Sequence, residues 1–400
     1  MNKQKTVIMA EFSDVRYDAR VLKESNYLSK NEYFVHLHMY NTSITKKRIH
    51  VKGNVKYYEY PFKNRRTNKS KWGVIKKYSE ALFFLIRVNS WILFKSSQIY
   101  HAHNMKFLLS SFLSAIIHKG KFIYDAHEIH SEHYEKTSAI NELKNKLNML
   151  VEKLILSRCD AFIQASEERA AFIEKKYKIP KPFVINNYVP LQYFNEKGSL
   201  LHDKLGLNPA IPTLFYSGGI YIDRFNGFRN ILKALVNFEN INFVIVGFMN
   251  NEIKIQFDCL IKKYSLIKRI YILPPVNNED LLEYASCADI GIIPLMGNSL
   301  NTKFSALNKV SEYMMAGLPI LCSNYDNLRK IVYDNPYGKV GETFDITSSQ
   351  SISQAIEKAL RKENYTEYKK NALMLAHNVF NWENEEVKLK NIYETINTTT

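Results

Sequence analysis

Residues 304–320, FSALNKVSEYMMAGLPI, place one carboxylate, Glu312, near the start of an apolar segment. A helix is predicted from about residue 306 to residue 316, since Gly317 and Pro319 supply a stop signal. The amino end of a helix has free backbone N–H groups and a partial positive charge, which suit a phosphate or diphosphate. A carboxylate one turn further in can accept hydrogen bonds from a ribose diol. The alternative is that Glu312 only complements the helix dipole, an effect of about 0.3–1 kcal/mol.

A second candidate for anion binding is the stretch YSGGIYIDRFNGF at residues 216–228. A predicted strand runs into Gly218 and Gly219, and Arg224 follows just before a predicted helix. Backbone amides and a fixed cation would then converge at the carboxyl end of a strand, where they favour a phosphate group. A pair of glycines alone indicates only a turn, so this reading depends on the other segments.

Histidines form the third group of candidate residues. His127 lies at the end of the predicted strand at residues 121–128, where a polar side chain can enter a ligand site; a structural histidine is the alternative. The run HEIHSEH at 127–133 has the residue types of a metal site, but its spacing differs from HExxH and we expect no metal. His101 and His103 alternate on one strand face. For His103 a satisfied core position is favoured over a place beside a ligand pocket.

Composition limits the classes of protein that fit. The 400-residue length favours two domains, and the 46% hydrophobic content predicts a sizeable core. The formal net charge of +16 favours an anionic partner: nucleic acid, an acidic membrane face or a phosphorylated small molecule. The four widely spaced cysteines predict buried thiols in a reducing cytoplasm. We expect no signal peptide and no spanning helix, because the most apolar stretch, residues 81–94, is broken by Arg87 and Asn89.

The elements that must position these residues alternate between strand and helix along the whole chain. Apolar runs rich in β-branched and aromatic residues predict strands at residues 6–12, 33–40, 55–62, 99–104, 121–128, 161–166, 182–188, 213–219, 242–247, 269–276, 290–295 and 319–324. Amphipathic segments fill most of the gaps. Such alternation predicts parallel sheets covered on both faces, and two such series predict two doubly wound α/β domains.

The domain boundary is predicted within residues 188–212, which carry three prolines and two glycines and show weak periodicity. We expect an amino-terminal domain at 1–190 and a carboxyl-terminal domain at 191–377. A final helix at about 378–400 is expected to pack back on the first domain. Ligands of open α/β sheets bind at the carboxyl ends of the strands, so two facing domains would form a cleft for the chemistry.

In combination, these segments resemble those of retaining GT-B glycosyltransferases of the family-4 type, the glycosyl transferases group 1. The carboxyl-terminal half carries YSGG with Arg224, FVIVG, Val276 followed by NNEDLLEYASCADIGIIPL, and NKVSEYMMAGLPI. The amino-terminal half carries DARVLKESNYLSKNEYFVHLH, IYHAHN, YDAHE and VINNYVP in the family's order. The resemblance covers nearly the whole chain. It implies the GT-B fold, with two Rossmann-like domains that bind acceptor and nucleotide-sugar donor and face each other across a cleft.

The resemblance also implies roles for individual residues. Glu312 matches the second glutamate of the family's Glu-x7-Glu motif, which holds the donor ribose, and Arg224 matches the second basic residue of the pair that neutralises the diphosphate. His127 matches the histidine that faces the donor sugar, so the expected catalytic residues are His127 and Arg224. Two positions depart from the family pattern: Phe304 replaces the first glutamate, and Gly219 replaces the first basic residue.

Further site residues come from the same segments. The expected donor side also contains Gly218, Gly219, Val276, Asn308 and Lys309. Lys303 is an alternative to Lys309 as an additional diphosphate cation. The expected acceptor side contains Arg20, His103 and Glu128. Asp18 fits the N-cap of the helix that carries Arg20.

The implied activity is a retaining, metal-independent transfer of a sugar from a nucleotide donor, a UDP- or GDP-sugar, to a surface-polysaccharide or lipid-linked glycan. No cofactor and no nucleic acid are expected. One rival is a GT-B-fold sugar-nucleotide epimerase, which would need acid/base residues at the donor carbon. Another is a basic nucleic-acid-binding protein, although the sequence has no recognisable recognition module.

Residues 63–95 suggest a location for the enzyme. Basic residues crowd the start of this segment, and apolar and aromatic residues, Trp72 among them, dominate its end. This pattern predicts peripheral contact with an anionic membrane, on the inner face of the cytoplasmic membrane. The alternative is an exposed basic loop followed by an ordinary core helix.

Overall fold

The computed structural model describes residues 4–62, 71–132, 139–194, 197–297, 299–304 and 307–398. The chain divides into two compact units, Met1–Asn187 with Glu386–Thr400, and Tyr188–Glu385. The first unit therefore ends at residue 187, where the sequence predicted 190, and the chain returns to it from residue 386, where the sequence predicted about 378.

The first unit contains one eight-stranded sheet and its covering helices. Its strands are β1 (Thr6–Asp14), β2 (Phe34–Asn41), β3 (Arg48–Lys52), β4 (Val55–Pro61), β5 (Ile99–Ala102), β6 (Lys121–Ala126), β7 (Ala161–Gln164) and β8 (Phe183–Val184). Its helices are α1 (Ala19–Lys30), α2 (Lys71–Phe94), α3 (Met105–His118), α4 (Ala139–Leu156) and α5 (Glu167–Tyr177), with a 3₁₀ turn at His130–Glu132. The strand order is β3-β4-β2-β1-β5-β6-β7-β8.

Strand β3 is an exception to the predicted parallel pairing. It pairs antiparallel with β4, whereas the other neighbours in this sheet pair in parallel. Lys52 lies opposite Val55 across a two-residue turn, in which Gly53 has a φ of 59°. Such a turn joins antiparallel neighbours directly and favours glycine at positive φ.

The second unit contains a six-stranded, fully parallel sheet among the described residues. Its strands are β9 (Thr213–Ser217), β10 (Asn242–Val246), β11 (Ile270–Leu273), β12 (Ile290–Ile293), β13 (Ile320–Ser323) and β14 (Gly341–Phe344), in the order β11-β10-β9-β12-β13-β14. Its helices are α6 (Leu200–Leu205), α7 (Ile222–Leu235), α8 (Asn251–Lys263), α9 (Asn278–Ser286), α10 (Leu300–Lys303), α11 (Leu307–Met315), α12 (Asp326–Tyr333), α13 (Ser349–Leu360) and α14 (Lys362–Asn378). Helix α15 (Trp382–Thr398) begins in this unit, and its residues from 386 onwards belong to the first.

Apolar strands form the centre of both units. The strands β9, β10 and β12 are buried along their whole lengths, which explains their continuous apolar sequences. Every strand predicted from the sequence overlaps an observed strand, and β3 and β14 are additional. Because the paired strands are parallel, the loops that follow them collect at one edge of each sheet, where ligand sites of this architecture lie.

Two local predictions are confirmed. Asp18 caps α1, where its side chain accepts a hydrogen bond from the N–H of Val21. Helix α11 spans Leu307–Met315, and Gly317, with a φ of 74°, ends it. Among the helices of the described ranges, none has both the length and the hydropathy that crossing a bilayer requires.

Candidate active site

In the second unit, polar groups converge where β9 ends. The backbone N–H of Ser217, the last residue of β9, donates a hydrogen bond to the hydroxyl of Tyr313 on α11 at 2.9 Å. The hydroxyl of Ser217 lies 3.5 Å from Oε2 of Glu312. Because Tyr313 is fully buried, this contact fixes α11 against the end of the strand. Glu312 is thereby held beside the loop that contains Gly218.

The loop after β9 is closely packed against the loop after β10. A Cβ atom at Gly247 would lie 1.9 Å from the carbonyl oxygen of Gly218, so a side chain at Gly247 would push the two loops apart. Gly218 itself has a φ of 126°, a conformation that other residues rarely adopt. These glycines keep backbone at the sheet edge, where a ligand can approach it.

Two cations belong to the same region. The Nζ atom of Lys309 lies 3.2 Å from the position that a Cβ of Gly218 would occupy. Arg224 is in the first turn of α7, and its Nη1 lies 3.5 Å from the carbonyl oxygen of Gly219. We call Ser217, Gly218, Arg224, Lys309 and Glu312 the β9-end cluster. It combines two positive charges, a glycine loop without a side chain and one carboxylate, and this combination suits a nucleoside diphosphate.

The other residues predicted for the donor side are placed less centrally. Asn308 is exposed on α11, and Val276 is half-buried against the core after β11. Lys303 is exposed on the short helix α10, and Phe304 caps that helix through its backbone N–H. Of the two lysines considered from the sequence, Lys309 is therefore the one in contact range of the glycine loop.

In the first unit, His127 borders a cavity of about 390 Å³. We call this cavity the His127 pocket; it is lined by Glu11, Asn104, Met105, Lys106, His127, Glu128, His130 and Asn148. The predicted residues His127 and Glu128 are among them, and the others were missed. Glu11 could have been suspected, since it is an acidic residue at the end of the apolar run TVIMAEF.

Behind His127 is a buried network of charged side chains. Arg20 donates two hydrogen bonds to Asp125, from Nε to Oδ2 and from Nη2 to Oδ1, each of 2.8 Å. It also donates to the carbonyl oxygen of Ile185, and its Nε is 3.1 Å from Oε1 of Glu24. Nε2 of His127 lies 3.5 Å from Oδ2 of Asp125. Arg20 is only 3% exposed, so its guanidinium is directed at these partners within the fold.

Two more histidines complete this network. The Nδ1 atom of His103 lies 3.3 Å from Oδ2 of Asp125, and its ring stacks on that of His101 at 4.1 Å. Nδ1 of His101 contacts the hydroxyl of Tyr393 on α15 at 2.9 Å, which ties residues after 386 to the first unit. His103 is fully buried, as the core interpretation predicts. We call Arg20, Glu24, His101, His103 and Asp125 the buried network.

The network determines which groups carry charge. Burial alone would raise the pKa of Asp125, but Arg20 and His127 outweigh it and hold the pKa well below its usual range. Burial opposes the charged form of His127, but Asp125 and Glu11 outweigh it and raise the pKa to about 9. Burial raises the pKa of Glu11 to about 8. Burial and repulsion from Asp125 together raise the pKa of Glu24 to about 8. The attraction of Asp125 therefore favours the protonated form of His127, which is a hydrogen-bond donor at the pocket.

Four members of the network also have the chemistry of metal ligands. Within the described part of the chain, ligand atoms of Glu24, His101, His103 and Asp125 lie within 4.8 Å of one another. The cation that faces both carboxylates in this arrangement is Arg20, at 2.8 Å from Asp125 and 3.1 Å from Glu24. The HEIHSEH run considered from the sequence is a different set, and its His133 is outside the described residues.

Comparison with known structures identifies the fold. Sucrose-phosphate synthase from Thermosynechococcus elongatus matches with a TM-score of 0.76 and 15% identity, over 99% of this chain and 100% of the other. A glycosyltransferase from Rickettsia africae ESF-5 matches with a TM-score of 0.69 and 15% identity, over 100% of both chains. Anabaena Alr3699/HepE in complex with UDP-glucose matches with a TM-score of 0.67 and 14% identity, over 98% of this chain and 99% of the other. The chain thus has the GT-B fold.

The family of the second unit follows from its sequence. Residues 202–373 match the family model described as "Glycosyl transferases group 1". The matched range contains the whole β9-end cluster. No curated protein is similar enough to count as a relative. The second unit accordingly matches the glycosyl transferases group 1 model within a chain of the GT-B fold, and together these findings support a glycosyltransferase.

Proposed function

We propose that this glycosyltransferase moves a sugar from a UDP- or GDP-sugar to a surface-polysaccharide or lipid-linked glycan acceptor, with retention of anomeric configuration and without a metal ion. The observation that carries the proposal is the β9-end cluster, in which Lys309, Gly218 and Glu312 meet at the end of one strand. A nucleotide-sugar donor has the matching parts, a diphosphate and a ribose diol. Anabaena HepE, which shares the fold, is described in complex with UDP-glucose.

Each member of the β9-end cluster has a role in this proposal. Arg224 and Lys309 neutralise the charge that develops on the leaving diphosphate, together with backbone amides at the start of α11. Glu312 accepts hydrogen bonds from the donor ribose. The acceptor hydroxyl oxygen forms a bond to the anomeric carbon on the face from which the diphosphate departs, the bond from that carbon to the diphosphate breaks, and the hydroxyl proton passes to the departing diphosphate oxygen. The protein contributes positioning and electrostatics rather than a nucleophile of its own.

The His127 pocket is proposed as the acceptor side. Its lining includes the amides of Asn104 and Asn148 and the carboxyl groups of Glu11 and Glu128, which suit a polyhydroxylated sugar. His127, as the charged donor beside them, hydrogen-bonds a sugar hydroxyl or stabilises charge at the reacting carbon. Arg20 and His103, which the sequence predicted on the acceptor side, would act through Asp125 rather than touch the sugar.

A location at the inner face of the cytoplasmic membrane is part of the proposal, through the segment 63–95. Its residues 63–70 and the side chains of 71–77 are outside the described part of the structure, so its basic start is argued from sequence alone. Each Lys or Arg near an anionic surface contributes about 1 kcal/mol, and salt screens the attraction. Exchange of Lys63, Arg65, Arg66, Lys69 and Lys71 for Gln should weaken binding to anionic vesicles and leave donor binding intact.

A thermal-shift screen with UDP-, GDP-, ADP- and CMP-sugars tests the activity. A ligand that binds the native state raises the apparent stability by RT ln(1 + [L]/Kd), so the true donor class should raise Tm. Incubation with that donor and no acceptor should not epimerise the sugar. Conversion of the free nucleotide sugar would instead support the epimerase alternative.

A further inference from the structure

Helix α4 has an inverted distribution of apolar residues. Its buried positions include the polar Asn145 and Glu152, and Glu152 accepts hydrogen bonds from Tyr124 and Tyr177. The apolar side chains at alternating spacings of three and four residues point outwards: Ile140 (67% exposed), Leu143 (57%), Leu147 (53%), Leu150 (53%) and Leu154 (55%). Such spacing produces one continuous apolar stripe along a helix.

Helix α3 also exposes apolar side chains. It buries three serines, Ser110, Ser111 and Ser114, together with Phe107, Leu108 and Ala115, and it exposes Leu109, Leu113, Ile116 and Ile117. Helix α3 packs against α2 on one side and contacts α4 on the other. We call the nine exposed residues of α3 and α4 the α3–α4 apolar face. An apolar surface of this extent marks a site of interaction, because a soluble protein rarely leaves one in water.

Charge around the face indicates what covers it. On α4 the stripe is flanked by the exposed side chains of Lys144, Lys146 and Lys153, against one exposed acid, Glu142. A second copy related by a two-fold axis would place these lysines near their own equivalents, which is unfavourable. An anionic lipid surface offers hydrocarbon to the apolar stripe and negative headgroups to the lysines, so both parts of the face are complemented.

We propose that the α3–α4 apolar face lies on an anionic lipid bilayer, with its leucines and isoleucines in the boundary between headgroups and acyl chains. This proposal rests on the membrane location proposed above and adds a second contact surface, separate from the basic segment at 63–71. It also extends the proposed function, because an enzyme held in this way has direct access to a lipid-linked acceptor. Since the nine apolar residues are on the first unit only, binding to lipid and binding to the nucleotide sugar are separable properties.

The experiment is flotation of the full-length protein with vesicles of phosphatidylcholine and phosphatidylglycerol, compared with vesicles of phosphatidylcholine alone. The wild type should bind the anionic vesicles and lose most of that binding at high salt. The triple variant Leu143→Gln, Leu147→Gln, Leu150→Gln should bind roughly tenfold or more weakly. A variant with Lys144→Gln, Lys146→Gln and Lys153→Gln should show a reduced preference for anionic vesicles, because the basic residues at 63–71 remain.

A matched control exchanges equally exposed apolar residues elsewhere, Ile255→Gln, Ile267→Gln and Val387→Gln, which are 64%, 63% and 57% exposed. It should bind vesicles as the wild type does. Circular dichroism and the Tm shift with UDP-glucose, or with the nucleotide sugar that the screen selects, check the fold and the donor site of each variant. Absence of any nucleotide-sugar shift would count against the proposed function and leave the lipid result standing.

Two results would overturn the inference. One is equal vesicle binding by the wild type and the leucine variant, which would place any membrane contact elsewhere. The other is a wild-type dimer in sedimentation that the leucine variant converts to a monomer, which would make the face an interface between copies of the chain. A monomeric wild type that floats with anionic vesicles supports it when the leucine variant binds those vesicles much more weakly.

Discussion

Arg20 and Asp125 form a bidentate ion pair inside the first unit, with both N–O distances at 2.8 Å. They are 105 positions apart in sequence, on α1 and β6, and both are almost fully buried. The pair fixes the carboxylate whose Oδ2 lies 3.5 Å from Nε2 of His127. The charge of His127 at the pocket therefore depends on residues that do not line the pocket themselves.

The first prediction concerns the pH dependence that this arrangement produces. The pKa of His127 is raised from 6.5 to about 9, so stabilisation by its charge is complete below about pH 6.5 and is lost as the pH rises through about 9. Asp125→Asn removes the main attraction and should lower the pKa of His127. The basic limb of the pH profile of kcat/KM should then move to lower pH, and NMR titration of His127 should move with it.

A buried carboxylate away from His127 provides the control for this experiment. Glu152→Gln changes a charge in the same unit, at a side chain that is 1% exposed and hydrogen-bonded to Tyr124 and Tyr177. It should alter stability without moving the basic limb. If Asp125→Asn and Glu152→Gln leave the same pH profile as the wild type, Asp125 has no influence on the protonation of His127.

The second prediction compares the roles of Lys303 and Lys309, the two lysines that precede Glu312. Lys309 is near the glycine loop, whereas Lys303 is exposed on α10. Lys309→Ala and Arg224→Ala should each lower kcat/KM roughly 10- to 100-fold, because a charge-assisted contact with the diphosphate is lost. Lys303→Ala should stay close to the wild type. If Lys309→Ala and Lys303→Ala lower kcat/KM equally, Lys309 has no special role at the diphosphate.

The third prediction concerns the packing of the two loops. Gly247→Ala places a Cβ 1.9 Å from the carbonyl oxygen of Gly218, so the loop must move and donor affinity should fall roughly tenfold or more. Gly206→Ala is the control for backbone strain alone, since Gly206 has a φ of 63° and no atom within 4 Å of an added Cβ. It should cost about 1 kcal/mol of stability and leave the donor Kd unchanged. A normal donor Kd in Gly247→Ala would show that this loop contact is irrelevant to the donor.

The fourth prediction is that turnover survives chelation. Arg224, Lys309 and helix amides are proposed to neutralise the leaving diphosphate, so EDTA should leave kcat unchanged. The assay is turnover before and after EDTA, followed by addition of Mg²⁺ or Mn²⁺. Loss with EDTA and recovery with either ion would contradict the metal-independent mechanism.

The sequence predicted the strands well because most are continuous apolar runs between turn signals. The strand β14 was missed because its sequence GETF has a charged residue at its centre. In the structure Glu342 is buried there and accepts hydrogen bonds from Tyr333, Tyr368 and Lys358. Only contacts that are distant in sequence make that position favourable, so no local pattern could indicate it.

The candidate site was predictable where a residue and its neighbours share one segment. Gly218 and Glu312 were proposed from local motifs and lie near one strand end, whereas the place of Arg20 could not be predicted because its partner Asp125 is on a distant strand. Asp125 itself was overlooked, although a carboxylate inside the apolar strand FIYDA is a signal for a buried partner. The exposed stripe of α4 reads in sequence as an ordinary amphipathic pattern, and only the structure shows that it faces outwards.

The central claim is that the β9-end cluster binds a nucleotide sugar, and calorimetric titration of Glu312→Ala tests it most directly. With the nucleotide sugar selected by thermal shift, the wild type should bind and Glu312→Ala should bind about 1–3 kcal/mol more weakly, because a charge-assisted hydrogen bond to the ribose is lost. Glu357→Ala, at an exposed glutamate of α13, should bind as the wild type does. An unchanged Kd in Glu312→Ala, with cooperative unfolding retained, would contradict the assignment of Glu312 to the donor ribose.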